Sequence, residues 1–193
     1  MEPPVVEKTK GTLTVVFGRF NPPTTGHGKL LEVVSKVSEN GNYLIVPSRT
    51  KDDKSNPLEI NLKVSYMKKM FPKHKDKIIN NTNLKTIFDV LVKTHNEGYS
   101  NVRVVVGSDR VEEFDNLIKK YDKKLYDFNS IEIISAGNRD PDGEGVEGVS
   151  ASKQRQAVLE NDYDTFEKGI PNEMEDKDIK NLFDDLKNNI MKS

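Results

Sequence analysis

Short β-branched runs alternate with amphipathic helical stripes along this chain, and that alternation constrains the fold more than any other feature. Leu13 to Phe17 reads as a short buried strand that stops at Gly18. Leu30, Leu31, Val34 and Val37 then recur on one helical face, and Tyr43 to Val46 reads as a second strand. Asn56 is expected to cap the next helix, with Pro57 in its first turn and Glu59 reaching back; Ile60, Val64, Met67 and Phe71 form its apolar stripe. A weak third strand is expected at Ile78–Ile79. Leu84, Ile87, Phe88, Leu91 and Val92 mark a helix stopped by Gly98. Val102 to Val106 is a strong strand, followed by a helix with Phe114, Leu117, Ile118 and Tyr121 inward. Ile131 to Ile134 is the fifth strand. The Gly/Asp-rich segment Gly137 to Gly148 reads as a mobile loop. Ser150 and Ser152 are candidate caps of a helix through Leu159, and a last helix carries Ile179, Leu182, Phe183, Leu186 and Ile190.

Strands alternating with helices imply an α/β fold: a doubly wound parallel sheet of about five strands with helices on both faces and a C-terminal helix. Right-handed crossovers place the strand carboxyl ends along one edge. Gly18, Ser48, Gly107 and Ser135 follow strands and are expected to gather there. With 193 residues, one domain is expected: a flexible lead-in over 1–11, an α/β domain over 12–171 and a helical extension over 172–193.

Charge separates the function classes. The net charge of −1 gives no global argument for nucleic acid or membranes. Arg49 to Lys77 holds nine Lys/Arg against four Asp/Glu, which suits a small polyanion, whereas Glu160 to Ser193 holds ten acids against five bases. No cysteine is present, which removes disulfides and thiolate metal sites. The start is no signal peptide and no apolar run reaches membrane length, so a soluble, cytoplasmic protein is expected. Nucleic-acid binding through the 49–77 region lacks any aromatic-interleaved basic motif. Self-association into a homo-oligomer is left open.

Two segments carry the chemistry. In Gly18-Arg-Phe-Asn-Pro-Pro-Thr-Thr-Gly-His27, glycine admits a ligand close to backbone, Arg19 adds charge, and the helix start offers N–H groups and a positive dipole end to a phosphate. Thr24 and His27 share a face of the first turn; the alternative is a helix cap at Thr24 or Thr25 and an exposed histidine. In Ser150-Ala-Ser-Lys-Gln-Arg155, two hydroxyls and an arginine fork stand at a helix start, where capping alone is the competing explanation. His74 and His95 are expected at the surface, at helix ends.

Together the segments resemble the signatures of the nucleotidylyltransferase superfamily, Gly-x-Phe-(Asp/Asn)-Pro-x-(His/Thr)-x-Gly-His and Ser-x-(Thr/Ser)-x-x-Arg. The resemblance covers roughly residues 12–171 and includes Gly107-Ser108-Asp109 and the continuation Arg155-Gln-Ala-Val…Asp162…Phe166…Gly169-Ile-Pro171. It implies a Rossmann-like fold and transfer of AMP or CMP from ATP or CTP to a small phosphorylated acceptor, with Mg²⁺ as cofactor. It further implies that His27 binds the α-phosphate, with Thr24 beside it in the position many members fill with histidine. Gly18, Arg19 and Phe20, chiefly through backbone, and Gly26 would line the nucleotide pocket, and Gly107 and Asp109 would approach base and ribose. Ser150, Ser152 and Arg155 would grip the β- and γ-phosphates. Arg49, Lys54 and Lys63 would bind the acceptor phosphate, against the alternative of a solvated basic face. No metal-ligand cluster is evident, so the ion would be held by the nucleotide. Asn56-Pro57-Leu58 and Gly18-Arg-Phe are similar to nicotinamide mononucleotide adenylyltransferases. The Phe166…Pro171 ending is similar to small cytidylyltransferase-like proteins, including those of large bacteriophages, where host cytoplasm would be the location. A nucleotide-binding scaffold without turnover, such as a phage assembly component, is the alternative function.

Overall fold

The computed structural model describes residues 2–137 and 149–191, in two compact units. The first comprises residues 2–17, 30–46 and 81–137; the second comprises 18–29, 47–80 and 149–191. Of the segment read as a mobile loop, all but Gly137 lies outside the described residues.

The first unit is built on a parallel sheet of four strands in the order β2-β1-β3-β4, flanked by helices. The strands are β1 (Lys10–Gly18), β2 (Tyr43–Pro47), β3 (Tyr99–Val106) and β4 (Ser130–Ser135). Leu13, Val15 and Val16 of β1 and Val102, Val104 and Val105 of β3 are buried on both faces, as a central parallel pair requires. Val15 pairs with Val104, and Val104 with Ile133. Strand order reverses between β1 and β3, which in such sheets is where ligands bind outside the carboxyl ends. β1 ends at Gly18, where the first signature turn begins.

Three helices accompany these strands. α1 (Thr25–Val37) follows the turn, and α3 (Ile87–Asn96) starts with a complete Thr86–Asp89 capping box. α4 (Val111–Lys120) follows a short 3-10 turn at Ser108–Arg110. Between α1 and α3 in the chain lies α2 (Ile60–Met70).

Several expectations are corrected here. The strand expected at Ile78–Ile79 does not form: Pro72–Lys77 is a 3-10 helix, and only an isolated bridge residue follows at Ile78, so the sheet has four strands. Ile78 leaves that turn in an extended conformation, but the apolar pair is too short to make a ladder. His74 and His95 are buried, not surface residues. His95 lies between main-chain groups: Nδ1 is 3.1 Å from the Asp127 carbonyl and 3.2 Å from its amide, and Nε2 is 2.7 Å from the Pro4 carbonyl. That contact ties down part of the lead-in, and β1 already begins at Lys10.

The second unit packs α2 with α5 (Ala151–Leu159), α6 (Tyr163–Lys168) and α7 (Asp176–Ile190). Phe166 stacks edge-on against Phe183 at 5.3 Å, inside the expected α7 stripe. The Tyr66 hydroxyl donates to the Asp185 carboxylate, and Lys69 pairs with Asp178 at 3.4 Å, fastening α7 to α2. The cap of α2 is Glu59, whose carboxylate accepts from the Leu62 amide at 2.7 Å. Asn56 is drawn away from that role by Asp52, which accepts from the Asn56 side chain at 2.8 Å. Among the described residues no helix is long and apolar enough to cross a membrane.

Candidate active site

The turn after β1 is held by its own geometry and by three outside anchors. Phe20 has φ 47°, a left-handed conformation that costs free energy outside glycine, and it folds its fully buried ring back over Gly18. A Cβ on Gly18 would stand 3.1 Å from that ring, a tight approach that would push the ring by a few tenths of an ångström. The ring also meets the His27 imidazole at 4.8 Å between centroids. The Phe20 side chain therefore buttresses His27. The anchors are Lys63 Nζ donating to the Arg19 carbonyl at 2.6 Å, Arg155 Nη1 donating to the Asn21 carbonyl at 2.8 Å, and the Asn21 amide group. Asn21 Oδ1 accepts from the Leu58 amide at 2.8 Å, and its Nδ2 donates to the Leu58 carbonyl at 3.3 Å.

At the start of α1 the Thr24 amide donates to His27 Nδ1 at 3.0 Å. An accepting Nδ1 puts the ring proton of the neutral imidazole on Nε2, making that nitrogen a donor. Thr24 itself is buried, and its Oγ1 accepts from the amides of Gly26 at 3.1 Å and His27 at 3.4 Å. The Thr25 amide donates to the Gly169 carbonyl at 2.9 Å, and the Gly28 amide to the Thr24 carbonyl at 3.1 Å. The first-turn amides expected to meet a phosphate are thus already bonded within the protein. The helix end keeps its dipole and His27, and Thr24 acts as the N-cap.

The second signature meets this turn within the same unit. Ser150 caps α5, accepting from the Lys153 amide at 3.2 Å, and its hydroxyl lies 3.0 Å from that of Ser152. Arg155, half-buried on α5, reaches the Asn21 carbonyl and so joins the two signatures directly. Its pKa is pushed down by burial and then by the neighbouring Arg19, against a smaller pull upward from Asp52.

On the acceptor side the structure separates Lys63 from its neighbours. Lys63 is not a solvated basic residue: it is fully buried, and its ammonium donates to the carbonyls of Arg19 and of Ser48, the latter at 2.7 Å. Burial, and then the charge of Arg49, push its pKa down to about 8. Arg49 Nη1 donates to Asn80 Oδ1 at 2.6 Å. Lys54 has an exposed side chain on a loop closed by Asp52, whose Oδ1 accepts from the amides of Lys54, Ser55 and Asn56. Those bonds, that from the Asn56 side chain foremost, pull Asp52 down to about 2. Gly107 and Asp109 belong to the first unit, at the end of β3 and in the 3-10 turn after it.

Asn21, Ser48 and Leu58 are structural partners of the site that residue patterns did not single out as such. Asn21 had a legible signal, its place in the turn, but its bond to Leu58 depends on a tertiary approach. Among the described residues no group of three or more His, Asp or Glu stands together as a metal site.

Within the second unit, the glycine turn, the histidine-bearing start of α1 and the arginine-bearing α5 meet. The model of the cytidylyltransferase-like family matches residues 15–157, and the chain belongs to that family. Among solved structures, it is similar to Plasmodium falciparum nicotinic acid mononucleotide adenylyltransferase complexed with NaAD: 20% identity, TM-score 0.53, covering 91% of this chain and 98% of that one. The same enzyme complexed with APC matches at 19% identity and TM-score 0.50, over the same shares of both chains. At these identities the likeness concerns the fold. No curated protein matches.

Proposed function

We propose that this protein is a nucleotidyltransferase that moves AMP or CMP from ATP or CTP to a small phosphorylated acceptor and releases pyrophosphate. The observation that carries the reading is a group of like charges around one turn. Lys63 donates to the Arg19 and Ser48 carbonyls and Arg155 to the Asn21 carbonyl, so two cations meet this turn with carbonyls rather than carboxylates for partners. Burying a cation without a counter-charge is costly, and a polyanionic substrate supplies the missing charge.

In the reaction an acceptor phosphate oxygen attacks the α-phosphorus in line. The new P–O bond forms as the bond from the α-phosphorus to the bridging oxygen breaks, and that electron pair leaves with pyrophosphate. His27 donates from Nε2 to an α-phosphate oxygen as charge builds there, while Arg155, Ser150 and Ser152 hold the β- and γ-phosphates. Lys63 keeps the turn in place and adds positive potential. Mg²⁺ bound with the nucleotide would supply neutralisation of phosphate charge. Family membership supports the reaction class, and the ligands named for the Plasmodium enzyme support an adenine nucleotide as one of the two candidates. A cytoplasmic location fits this reading. Pyrophosphate release from ATP or CTP, screened against phosphorylated metabolites, tests the proposal.

The second reading, a nucleotide-binding scaffold without turnover, is favoured by one observation: the first histidine position is held by a buried capping threonine. Nucleotide binding by calorimetry with no pyrophosphate release would select it.

A further inference from the structure

The segment closing the second unit reaches back to the helix that carries His27. The Gly169 carbonyl accepts from the Thr25 amide, the first of α1. Gly169 has φ −87° and ψ 2°, a conformation open to any residue, so it is not glycine for the sake of its backbone. It is glycine for space. A Cβ there would stand 2.5 Å from Nε2, 2.6 Å from Cδ and 2.7 Å from Oε1 of Gln154. Gln154 is buried on α5 beside Arg155, and its Nε2 donates to the Phe166 carbonyl at 2.9 Å. One residue therefore touches both helices of the site: through its carbonyl the helix of His27, through its missing side chain the helix of Arg155.

We propose that Gly169 is a positioning residue, which sets His27 and Arg155 in register by capping α1 while letting the Gln154 amide lie against its backbone. The proposal rests on the nucleotidyl-transfer reading. His27 acts at the α-phosphate and Arg155 on the leaving pyrophosphate, so their separation matters most as the bond between those groups breaks. Misplacement of about 1 Å between reacting parts costs up to about 10²-fold in rate. Ground-state nucleotide binding, spread over more contacts, changes less.

The test uses the full chain as wild type, Gly169→Ala, Gln154→Ala and the double variant. Gly169→Ala is expected to lower kcat by about 10- to 100-fold with nucleotide KM within about twofold. Hydrogen exchange at the Thr25 amide should quicken by about fivefold or more, as expected for loss of one hydrogen bond. In the double variant the overlap is gone, and both Thr25 protection and kcat should return to the Gln154→Ala values. Unchanged kcat and Thr25 protection in Gly169→Ala would overturn the proposal. So would a double variant no better than Gly169→Ala, or one that fails to fold. If wild type releases no pyrophosphate from any substrate pair, the nucleotidyl-transfer reading fails, while Thr25 exchange still decides whether Gly169 sets the helix.

Discussion

The Thr24 amide donates to His27 Nδ1 at 3.0 Å, so a main-chain bond selects the tautomer of the side chain proposed to meet the α-phosphate. The expected outcome is direct. In a ¹⁵N spectrum of the neutral imidazole, Nδ1 carries no proton and Nε2 carries one. A protonated Nδ1 would mean that His27 cannot donate as described.

The hydroxyl of Thr24 has a separate task, accepting from the Gly26 and His27 amides. Thr24→Ala is expected to cost about 1 kcal/mol in chemical denaturation, the usual loss for an N-cap. Thr24→Ser keeps the oxygen and should stay within about 0.5 kcal/mol of wild type.

The strands and the two signatures were legible because they depend on local pattern: β-branched runs for Val15 and Val104, a capping serine for α5. The third strand failed because Ile78, though extended, forms only an isolated bridge, and an apolar pair carries too little pattern to tell a bridge from a strand. Lys63 could not be read from its stripe. The expectation is that it binds the acceptor phosphate or sits on a solvated face, and only the approach of two carbonyls, from Arg19 and Ser48, makes burial of the ammonium tolerable. The amides of α1 were misread for a similar reason: the group that satisfies Thr25 comes from Gly169, far along the chain.

Lys63 links charge to pH. Its folded pKa of about 8 lies below the ordinary 10.5, so between those values the unfolded chain holds a proton that the folded chain has released. Stability therefore rises with pH across that window, and below about 8 the cost of the buried charge is fully present, on the order of 3 kcal/mol. Denaturation at stepped pH should show this rise in wild type relative to Lys63→Met. A bound polyanion favours the charged form, so nucleotide binding near pH 8 should take up protons. Calorimetry in buffers of different ionisation heat measures that uptake, which Lys63→Met should abolish.

Arg155 shares one guanidinium between the Asn21 carbonyl and the phosphates it is proposed to hold. Arg155→Lys keeps the charge but loses the fork. Nucleotide KM should rise by about tenfold or more, from one charge-assisted bond of roughly 1.5–3 kcal/mol. Arg155→Ala should lose more and weaken the salt dependence of binding. Equal KM in all three proteins would remove Arg155 from the site.

The most direct measurement is pyrophosphate release from ATP and CTP against a panel of phosphorylated metabolites, with wild type and His27→Ala side by side. At least one pair should turn over in wild type, and His27→Ala should slow it by about 10²- to 10³-fold while still binding nucleotide. No release from any pair, or release undiminished in His27→Ala, would contradict the role assigned to the turn between Gly18 and His27.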